Sequence, residues 1–200
     1  MNYTGPKIKL SRKLGIELTQ KSNKYMTNKP YPPGQHGATK RRVKQSDYGR
    51  QLNEKQKLKY QYNISERQMR NYFGKAAQLV GNTGDLLLQL LESRLDAFVY
   101  RAGFARSMYS ARQLVTHGHI KINGKRVNIP SCKLKVNDLV SIKDKLRKDE
   151  VIQNSIRSSA PPPYIEISKA DFSAKFLYTP SREEIPAICE IPLVVEYYSR

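Results

Sequence analysis

The sequence predicts an α+β protein: a mostly helical domain with a basic N-terminal arm, plus an inserted small module of helices packed on an antiparallel β-sheet. Apolar residues recur at helical spacing through much of residues 46–116, which is typical of packed helices. Short alternating segments then flank an Asn-Gly turn at residues 123–124, which predicts a β-hairpin. The first 45 residues show neither pattern, and the chain of 200 residues has room for one large or two small domains.

The N-terminal arm, residues 1–45, has few apolar residues and no sustained helical period. It ends in the Pro- and Gly-rich stretch 30–37, followed by the basic residues Lys40, Arg41, Arg42 and Lys44. Proline fixes the backbone, and glycine lets it come close to another surface. We predict a partly extended arm that becomes ordered against its partner, with a disordered tail as the alternative.

Residues 46–101 have the spacing of three helices. The first helix is capped by Ser46 or Asp47 and runs to about residue 60, and its basic face outweighs its apolar one. A capping box at Ser65–Gln68 opens the second helix. After the Gly-rich break at 81–84, a third helix runs from about residue 85 to 99, and its apolar stripe predicts core.

Residues 104–157 change character and predict an α+β module. Ser107 caps a short helix that runs to Thr116, and Gly118 ends it. Two hairpins follow, the first with Asn-Gly at its turn. The predicted strands are residues 120–122, 125–129, 134–136 and 139–142. The Ser- and Pro-rich stretch 158–163 then reads as a hinge or spacer, and residues 164–167 and 193–198 as strand-like or extended.

Composition favours a soluble, cytosolic protein with a polyanionic partner. There are 36 Lys and Arg against 17 Asp and Glu, a net charge of +19. Hydrophobic residues make up only 38%, and no apolar run approaches the roughly 20 residues of a membrane-spanning helix. The N-terminus lacks the apolar stretch of a secretory signal. Cys132 and Cys189 lie far apart in dissimilar contexts, so we expect two free thiols.

The positive charge is concentrated in two blocks. Residues 1–45 carry +10 and residues 93–157 carry +9, while residues 46–92 carry +2 and residues 158–200 carry −2. A positive charge that served only solubility would not need to be concentrated in two blocks. They predict two faces that bind phosphate and release counterions.

The helix after Ser107 supplies a further reason to expect phosphate contacts, because its first N–H groups and positive dipole end attract anions. Arg101, Arg106 and Arg112 lie close to it in sequence, with Lys121 and Lys125 on the hairpin. Guanidinium groups bind phosphate bidentately. Most of the 13 tyrosines are expected in core or interfaces. The tyrosines with basic neighbours, Tyr3, Tyr31 and Tyr48, are the candidates for base stacking.

Catalytic signatures are missing from the sequence, which has no Gly-rich phosphate fingerprint, no nucleophile elbow and no metal-binding helix motif. His117 and His119 have no adjacent Cys or carboxylate, so phosphate contact or loop packing is favoured over metal ligation. Glu183 and Glu184 predict an acidic surface patch rather than an acid pair. We therefore expect no enzymatic activity, no cofactor and no small-molecule substrate.

One set of segments carries a family resemblance: Ser93–Arg101, Ser110–His117, Ile122–Gly124, Val127–Pro130 and Val140–Ile142. They resemble the small RNA-binding module of the bacterial ribosomal protein S4 family. That module also occurs in RNA-modifying enzymes. The similarity continues in order along the chain, however, at Tyr3–Lys7, Pro33–Gly37, Ser46–Gly49, Gln51-Leu52, Glu54–Lys57, Glu66–Tyr72 and Val195–Arg200.

The resemblance implies a module inserted into a helical domain. The implied divisions are an arm at 1–45, a helical domain at 46–92 completed by about 180–200, the RNA-binding module at 93–157, and a Pro-rich hinge with a strand extension of the module at 158–179. It also implies direct binding to the 5′ domain of small-subunit rRNA, nucleation of subunit assembly, and neighbouring small-subunit ribosomal proteins as partners, at the cytoplasmic ribosome and without a membrane. The expected rRNA-binding residues are Lys7, Lys9, Arg12, Lys13, His36, Tyr48, Arg50, Gln51, Lys55, Lys57, Arg67, Arg70, Arg94, Arg101, Arg106, Arg112, His117, Lys121 and Lys125.

The resemblance further implies that the arm lies beside the mRNA entry channel, where Lys40, Arg41, Arg42 and Lys44 would meet mRNA and influence translational accuracy. Some members carry a Cys-ligated zinc in the arm, but residues 1–45 contain no Cys, so no metal is expected. An RNA-modifying enzyme, an architectural DNA-binding protein and a purely structural interaction protein are the alternatives. An RNA-modifying enzyme needs a catalytic domain in addition to the module. An architectural DNA-binding protein fits the charge but gives no reason for similarity along the whole chain. A purely structural interaction protein leaves the charged arm unexplained.

Overall fold

The computed structural model describes residues 3–39 and 45–200, and in them α-helices and one antiparallel β-sheet confirm the predicted α+β class. The chain forms two compact units. The first, the helical unit, comprises residues 1–84 and 187–200. The second, the sheet unit, comprises residues 85–186. No helix of the described residues is both long and apolar enough to cross a membrane.

The helical unit is built from helices that bury a small apolar core around Leu58, Tyr62, Met69 and Val194. The main packing partners are the third helix and the C-terminal helix. Its helices are α1 (Lys7–Leu14), α2 (Gln20–Asn28), α3 (Asp47–Gln61), α4 (Glu66–Ala77) and α9 (Ile191–Tyr198).

Side-chain caps start α3 and α4 where the sequence predicts them. The Ser46 side chain accepts a hydrogen bond from the Gly49 N–H at the start of α3. At α4, Ser65 and Gln68 form the reciprocal capping box, with each side chain accepting from the other residue's backbone N–H. These bonds satisfy N–H groups that have no partner within the helix.

Two expectations for the helical unit are wrong. The arm is helical over α1 and α2 rather than partly extended, because Leu10 and Leu14 lie one turn apart and are both buried. Each of these helices has only about two turns, so the apolar spacing repeats too few times to be recognised in the sequence. Residues 193–198 belong to α9 rather than to a strand, since Pro192 suits the first helical turn and Val194 packs into the core.

The sheet unit contains a five-stranded sheet, and three of its four helices contribute buried side chains to the core on the inner face of that sheet. These three are α6 (Leu95–Arg101), α7 (Met108–Thr116) and α8 (Glu150–Ser158), and they follow α5 (Thr83–Glu92). The strands are β1 (Ile120–Ile122), β2 (Lys125–Val127), β3 (Leu139–Ile142), β4 (Ile165–Ser168) and β5 (Ser173–Phe176), and their order in the sheet is β2-β1-β3-β5-β4. A short 3₁₀ helix occupies Asp144–Leu146.

The register of the sheet separates an apolar inner face from a polar outer one. Ile120 pairs with Ile142 on the inner face, where both are buried. The next position along β1, Lys121, lies on the outer face and pairs with Arg126 of β2 and Ser141 of β3. The β1–β2 turn is the predicted Asn123-Gly124 pair, with φ of 47° and 80°.

The predicted single helix over residues 85–99 is wrong, because the backbone is extended at Arg94 and divides it into α5 and α6. There Arg94 forms an isolated bridge with Lys133. This bridge is also the only pairing near the predicted strand 134–136, which does not form in the described structure. Residues 165–176 form β4 and β5, which extend the sheet beyond β3.

Candidate nucleic-acid interface

Arg94 and Arg112 are held by a buried carboxylate in the sheet unit. Arg94 donates from Nε to Asp96 Oδ1 at 2.9 Å and from Nη2 to Oδ2 at 2.6 Å, and both side chains are 1% exposed. Arg112 adds a bond to Oδ2 at 3.3 Å. A paired charge of this kind stabilises the fold only if every donor is satisfied. Arg94 therefore belongs to the interior of the unit, and we remove it from the proposed RNA contacts.

Arg101 is likewise engaged inside the sheet unit. Its guanidinium binds the fully buried Glu92 carboxylate, with the shortest distance 2.8 Å from Nη2 to Oε1. The Tyr164 hydroxyl donates to the other oxygen of Glu92 at 3.1 Å. Burial, and then the negative charge of Glu92, raise the pKa of Tyr164, so this hydroxyl stays protonated. The predicted cluster of three arginines thus leaves Arg106 as its exposed member.

Arg106 lies directly before α7, beside the N-terminus that we predicted to attract anions. Ser107 caps that helix by accepting from the Ser110 N–H at 3.3 Å. Arg106 is exposed and makes no ion pair within the described residues. An exposed guanidinium beside a helix N-terminus suits a phosphate group.

A second group of cations lines the β2 edge of the same sheet unit. We call it the basic edge and define it as His117, His119, Lys121, Arg126 and Lys143. Lys121 and Arg126 are direct cross-strand partners on the outer face. The Arg126 guanidinium lies against Gly118 and donates to the His117 carbonyl at 3.5 Å.

The positive groups of the basic edge influence one another. The rings of His117 and His119 lie 5.8 Å apart. Partial burial, followed by the positive fields of His117, Lys143 and Arg126, lowers the pKa of His119. Partial burial and the charges of Arg126, Lys121 and Lys145 lower the pKa of Lys143 in the same way. An anion bound here would relieve this repulsion.

The helical unit presents its cations along α1, α3 and α4. Two of the predicted arm contacts instead hold the unit together: the Lys7 ammonium donates to the carbonyls of Tyr3 and Gly5, and Arg12 donates to the carbonyl of Tyr31 at 2.9 Å. The predicted residues that are exposed are Lys9, Lys13, His36, Tyr48, Arg50, Arg67 and Arg70.

Three further residues predicted on α3 are used within the helical unit. Gln51 is buried and donates to Glu196 at 2.8 Å, and Lys55, with 4% of its side chain exposed, binds Glu66 at 2.9 Å. Both are therefore removed from the proposed contacts. Lys57 pairs with Glu54 at 2.6 Å but keeps a quarter of its side chain exposed.

A polar cleft of about 210 Å³ opens beside Lys57 on the same unit. Its walls combine cations with the carboxylates of Glu54 and Glu190. The cationic lining residues are Lys13, Arg50 and Lys57. Three cations and two carboxylates line the cleft, so its formal net charge is +1.

Tyr48 is half exposed, with its ring 5.9 Å from that of Tyr197 and the Arg200 guanidinium 5.8 Å from its centre. Tyr3 and Tyr31, the other stacking candidates, are partly covered by internal contacts with Tyr60 and Arg12. The predicted mRNA contacts Lys40, Arg41, Arg42 and Lys44 lie outside the described residues. Within the described part of the chain, no group of three potential metal-ligating side chains occurs.

Sequence reasoning missed Arg126 and Lys143 as candidate members of the interface, and for His119 it left phosphate contact and loop packing open. The Asn123-Gly124 turn was the signal that could have found Arg126, because a two-residue hairpin turn pairs position 126 with Lys121 and so places both on one face. Lys143 follows β3 directly, and its N–H donates to the His119 carbonyl at 2.9 Å. Only the pairing of β1 with β3 brings these two residues together.

Comparisons with known proteins identify both parts of the chain. Residues 2–92 match the ribosomal protein S4/S9 N-terminal domain, and residues 93–140 match the S4 domain. A protein of Chlorobaculum tepidum named small ribosomal subunit protein uS4 is 47% identical over 201 residues, covering 99% of this chain and 98% of the relative. Relatives of the same name from Geobacillus sp. strain WCH70 and Roseiflexus castenholzii are 46% and 44% identical, with the same coverage.

Proposed function

Because the chain belongs to the small ribosomal subunit protein uS4 family, we propose that it binds the 5′ domain of small-subunit rRNA directly and nucleates assembly of the subunit. It is a structural component of the ribosome, not an enzyme. Its partners are small-subunit rRNA and neighbouring ribosomal proteins. The observation that carries this proposal is the agreement with uS4 relatives over 99% of the chain.

The described residues support a revised set of rRNA contacts, chosen because each side chain is exposed or only partly engaged within the protein. In the sheet unit, the set centres on Arg106 and the basic edge. In the helical unit, it follows α1, α3, α4 and the polar cleft. The proposed contacts are Lys9, Lys13, His36, Tyr48, Arg50, Lys57, Arg67, Arg70, Arg106, His117, His119, Lys121, Lys125, Arg126 and Lys143.

These contacts favour recognition of a folded RNA over recognition of a base sequence. Most of the proposed side chains are Lys and Arg, which bind phosphate groups without reading bases. Paired RNA offers a protein little of its base edges, whereas the positions of phosphates at a junction depend on its shape. We therefore expect tight binding to a multi-helix junction and weak binding to a simple duplex.

We further propose that Lys40, Arg41, Arg42 and Lys44 contact mRNA at the entry channel and influence translational accuracy. The support is the density of charge there, with four cations in five residues. Replacing all four with Ala should impair translation of mRNA with structured coding regions more than it impairs rRNA binding. Loss of rRNA binding with normal translation of structured mRNA would assign these residues to the rRNA contact instead.

Two measurements test the proposed rRNA binding. The chain should co-sediment with small subunits after a high-salt wash. The logarithm of its association constant for a 5′-domain transcript should fall linearly with the logarithm of the salt concentration. The slope should be about −0.7 to −0.9 per phosphate neutralised. Equal affinity for a simple duplex of the same length, or an absence from ribosomal particles, would refute the proposal.

A pair of arginine variants tests the proposed contacts at α7. Arg106→Ala should weaken binding to the transcript about three- to tenfold, as expected for one lost charged contact, and leave the unfolding free energy unchanged. Arg101→Ala should destabilise the sheet unit, because the fully buried Glu92 loses its cation. If Arg106→Ala binds RNA as wild type does, the α7 end of the proposed interface is refuted.

A further inference from the structure

The basic edge of the sheet unit brings several like charges close together. Lys121 and Arg126 are direct cross-strand partners, and like charges at such positions repel. The Arg126 guanidinium lies against Gly118, where a side chain would collide with it. Its bond to the His117 carbonyl, at 3.5 Å, leaves most of its donors directed elsewhere.

Backbone hydrogen bonds fix the position of His119 within this cluster. Its N–H donates to the Leu114 carbonyl at 3.0 Å, and its own carbonyl accepts from the Lys143 N–H at 2.9 Å. The turn that leads into it has Gly118 at a φ of 66°. His119 is consequently held between the end of α7 and the end of β3, with its ring 5.8 Å from that of His117.

The charges that face His119 from the neighbouring elements are mostly positive. His117 approaches from the end of α7, Arg126 from β2 and Lys143 from the segment after β3. Lys121 and Lys145 adjoin Lys143. The carboxylate in this region, Asp144, is 71% exposed and is shared between Arg147 at 2.8 Å and Lys121 at 3.6 Å.

We propose that the basic edge is a phosphate site for RNA and that His119 takes up a proton from solvent when a backbone phosphate binds there. This inference rests on the proposed RNA-binding function and adds to it the protonation of His119 and a dependence on pH. The phosphate accepts hydrogen bonds from Arg126 and Lys143, and from the imidazolium of His119 once it is protonated. The bound negative charge compensates the repulsion between Lys121 and Arg126.

The direction of the pH effect follows from the charges. In the free protein, burial and the neighbouring cations lower the pKa of His119, so the ring is mostly neutral at neutral pH. A phosphate beside the ring favours the charged form and raises this pKa. A site that gains a proton on binding binds more tightly as pH falls. A rise of one pKa unit corresponds to about a tenfold gain in affinity below both values.

The experiment compares RNA affinities of the full chain at about pH 8 and about pH 6, on either side of the ordinary histidine pKa. The probe is a labelled transcript of the 5′ domain of small-subunit rRNA, at constant ionic strength. Wild type should bind about three- to sixfold more tightly at the lower pH, which corresponds to a pKa rise of about one unit when the free pKa lies at or below the ordinary histidine value. His119→Gln should reduce this ratio to less than about twofold, because glutamine keeps a hydrogen-bond donor but cannot titrate.

Lys121→Gln is the matched control, because it removes one cation of the same basic edge and leaves His119 in place. It should weaken binding at both pH values and retain the wild-type ratio between them, since the titrating side chain is unchanged. Calorimetry in two buffers with different ionisation enthalpies gives a second readout. Wild type should take up about half a proton on binding near the lower pH, and His119→Gln measurably less.

The outcomes separate the two proposals. Equal wild-type affinities at both pH values, or a His119→Gln variant with the wild-type ratio and proton uptake, would overturn the inference and leave rRNA binding intact. A wild-type chain that fails to bind the transcript at either pH would refute the proposed function itself. Arg126→Gln should weaken binding at both pH values, and unchanged affinity would remove the phosphate site from the basic edge.

Discussion

Replacing Asp96 with asparagine should destabilise the sheet unit by about 3–5 kcal/mol, the range observed when a buried ion pair loses one partner. Asp96 Oδ1 accepts from Arg94 Nε at 2.9 Å and from the Ala97 N–H at 3.0 Å, and an asparagine oxygen keeps both bonds. Oδ2 accepts from Arg94 Nη2 at 2.6 Å and Arg112 Nη1 at 3.3 Å. An amide nitrogen in place of Oδ2 would direct its own N–H groups at the N–H groups of Arg94 and Arg112, so neither bond could form.

The magnitude follows from the two bonds lost at Oδ2. A hydrogen bond to a charged group contributes about 1.5–3 kcal/mol, and the longer, partly exposed bond of Arg112 lies at the lower end of that range. Arg94 would remain charged and 1% exposed without its counter-ion, which adds a desolvation penalty. Together these effects account for about 3–5 kcal/mol.

Urea unfolding of the full chain, followed by circular dichroism, measures the effect. Hydrogen exchange of the α6 and α7 amides assigns it to the sheet unit, because the two units can unfold in separate transitions. The matched control is Asp171→Asn in the same unit, where an exposed carboxylate accepts from Ser168 at 2.7 Å and asparagine keeps an acceptor. If Asp96→Asn loses no more stability than this control, the reasoning about the buried carboxylate is refuted.

Further predictions concern pH and backbone conformation. Burial opposes ionisation of Glu66, but the bonds from Lys55 and Tyr198 and the charge of Lys59 outweigh it and lower the pKa of this carboxyl. The stabilising effect of the Glu66 carboxylate is therefore complete above about pH 4.5 and is lost as pH falls through the lowered value. Glu66→Gln should accordingly flatten the acid limb of a plot of melting temperature against pH. Glu17→Gln, on the exposed surface, should leave that limb unchanged. Gly118→Ala should cost about 1–2 kcal/mol in thermal unfolding because of its φ of 66°. Gly74→Ala, within α4 and with no atoms near the added methyl group, should instead stabilise by about 0.5–1 kcal/mol, and equal signs for the two glycines would contradict the conformational argument.

Local signals predicted the elements whose cause is local. The capping box at Ser65, the cap at Ser107 and the Asn123-Gly124 turn are each formed by residues within a few positions of one another, and each occurs in the structure. The division between α5 and α6 has a distant cause. The apolar spacing continues from Leu91 to Leu95, and the pairing of Arg94 with Lys133 is what extends the backbone there.

The candidate site was predictable in its charge but not in how each cation is used. Composition alone indicates a polyanionic partner, because two blocks of the chain carry nearly all the excess charge. Lys55 and Arg101 look like surface cations in the sequence. Folding brings Glu66 to Lys55 and Glu92 to Arg101, and those carboxylates bind them inside the protein.

The split of the helical unit along the chain has a consequence for biosynthesis. Residues 85–186 are continuous, so every strand of the sheet unit has been made before translation reaches α9. The helices α1 to α4 are translated first but are completed by α9 last, since α9 packs on α3 and places Val194 in the core. During translation the nascent sheet unit can therefore fold while the older helices still await their final partner.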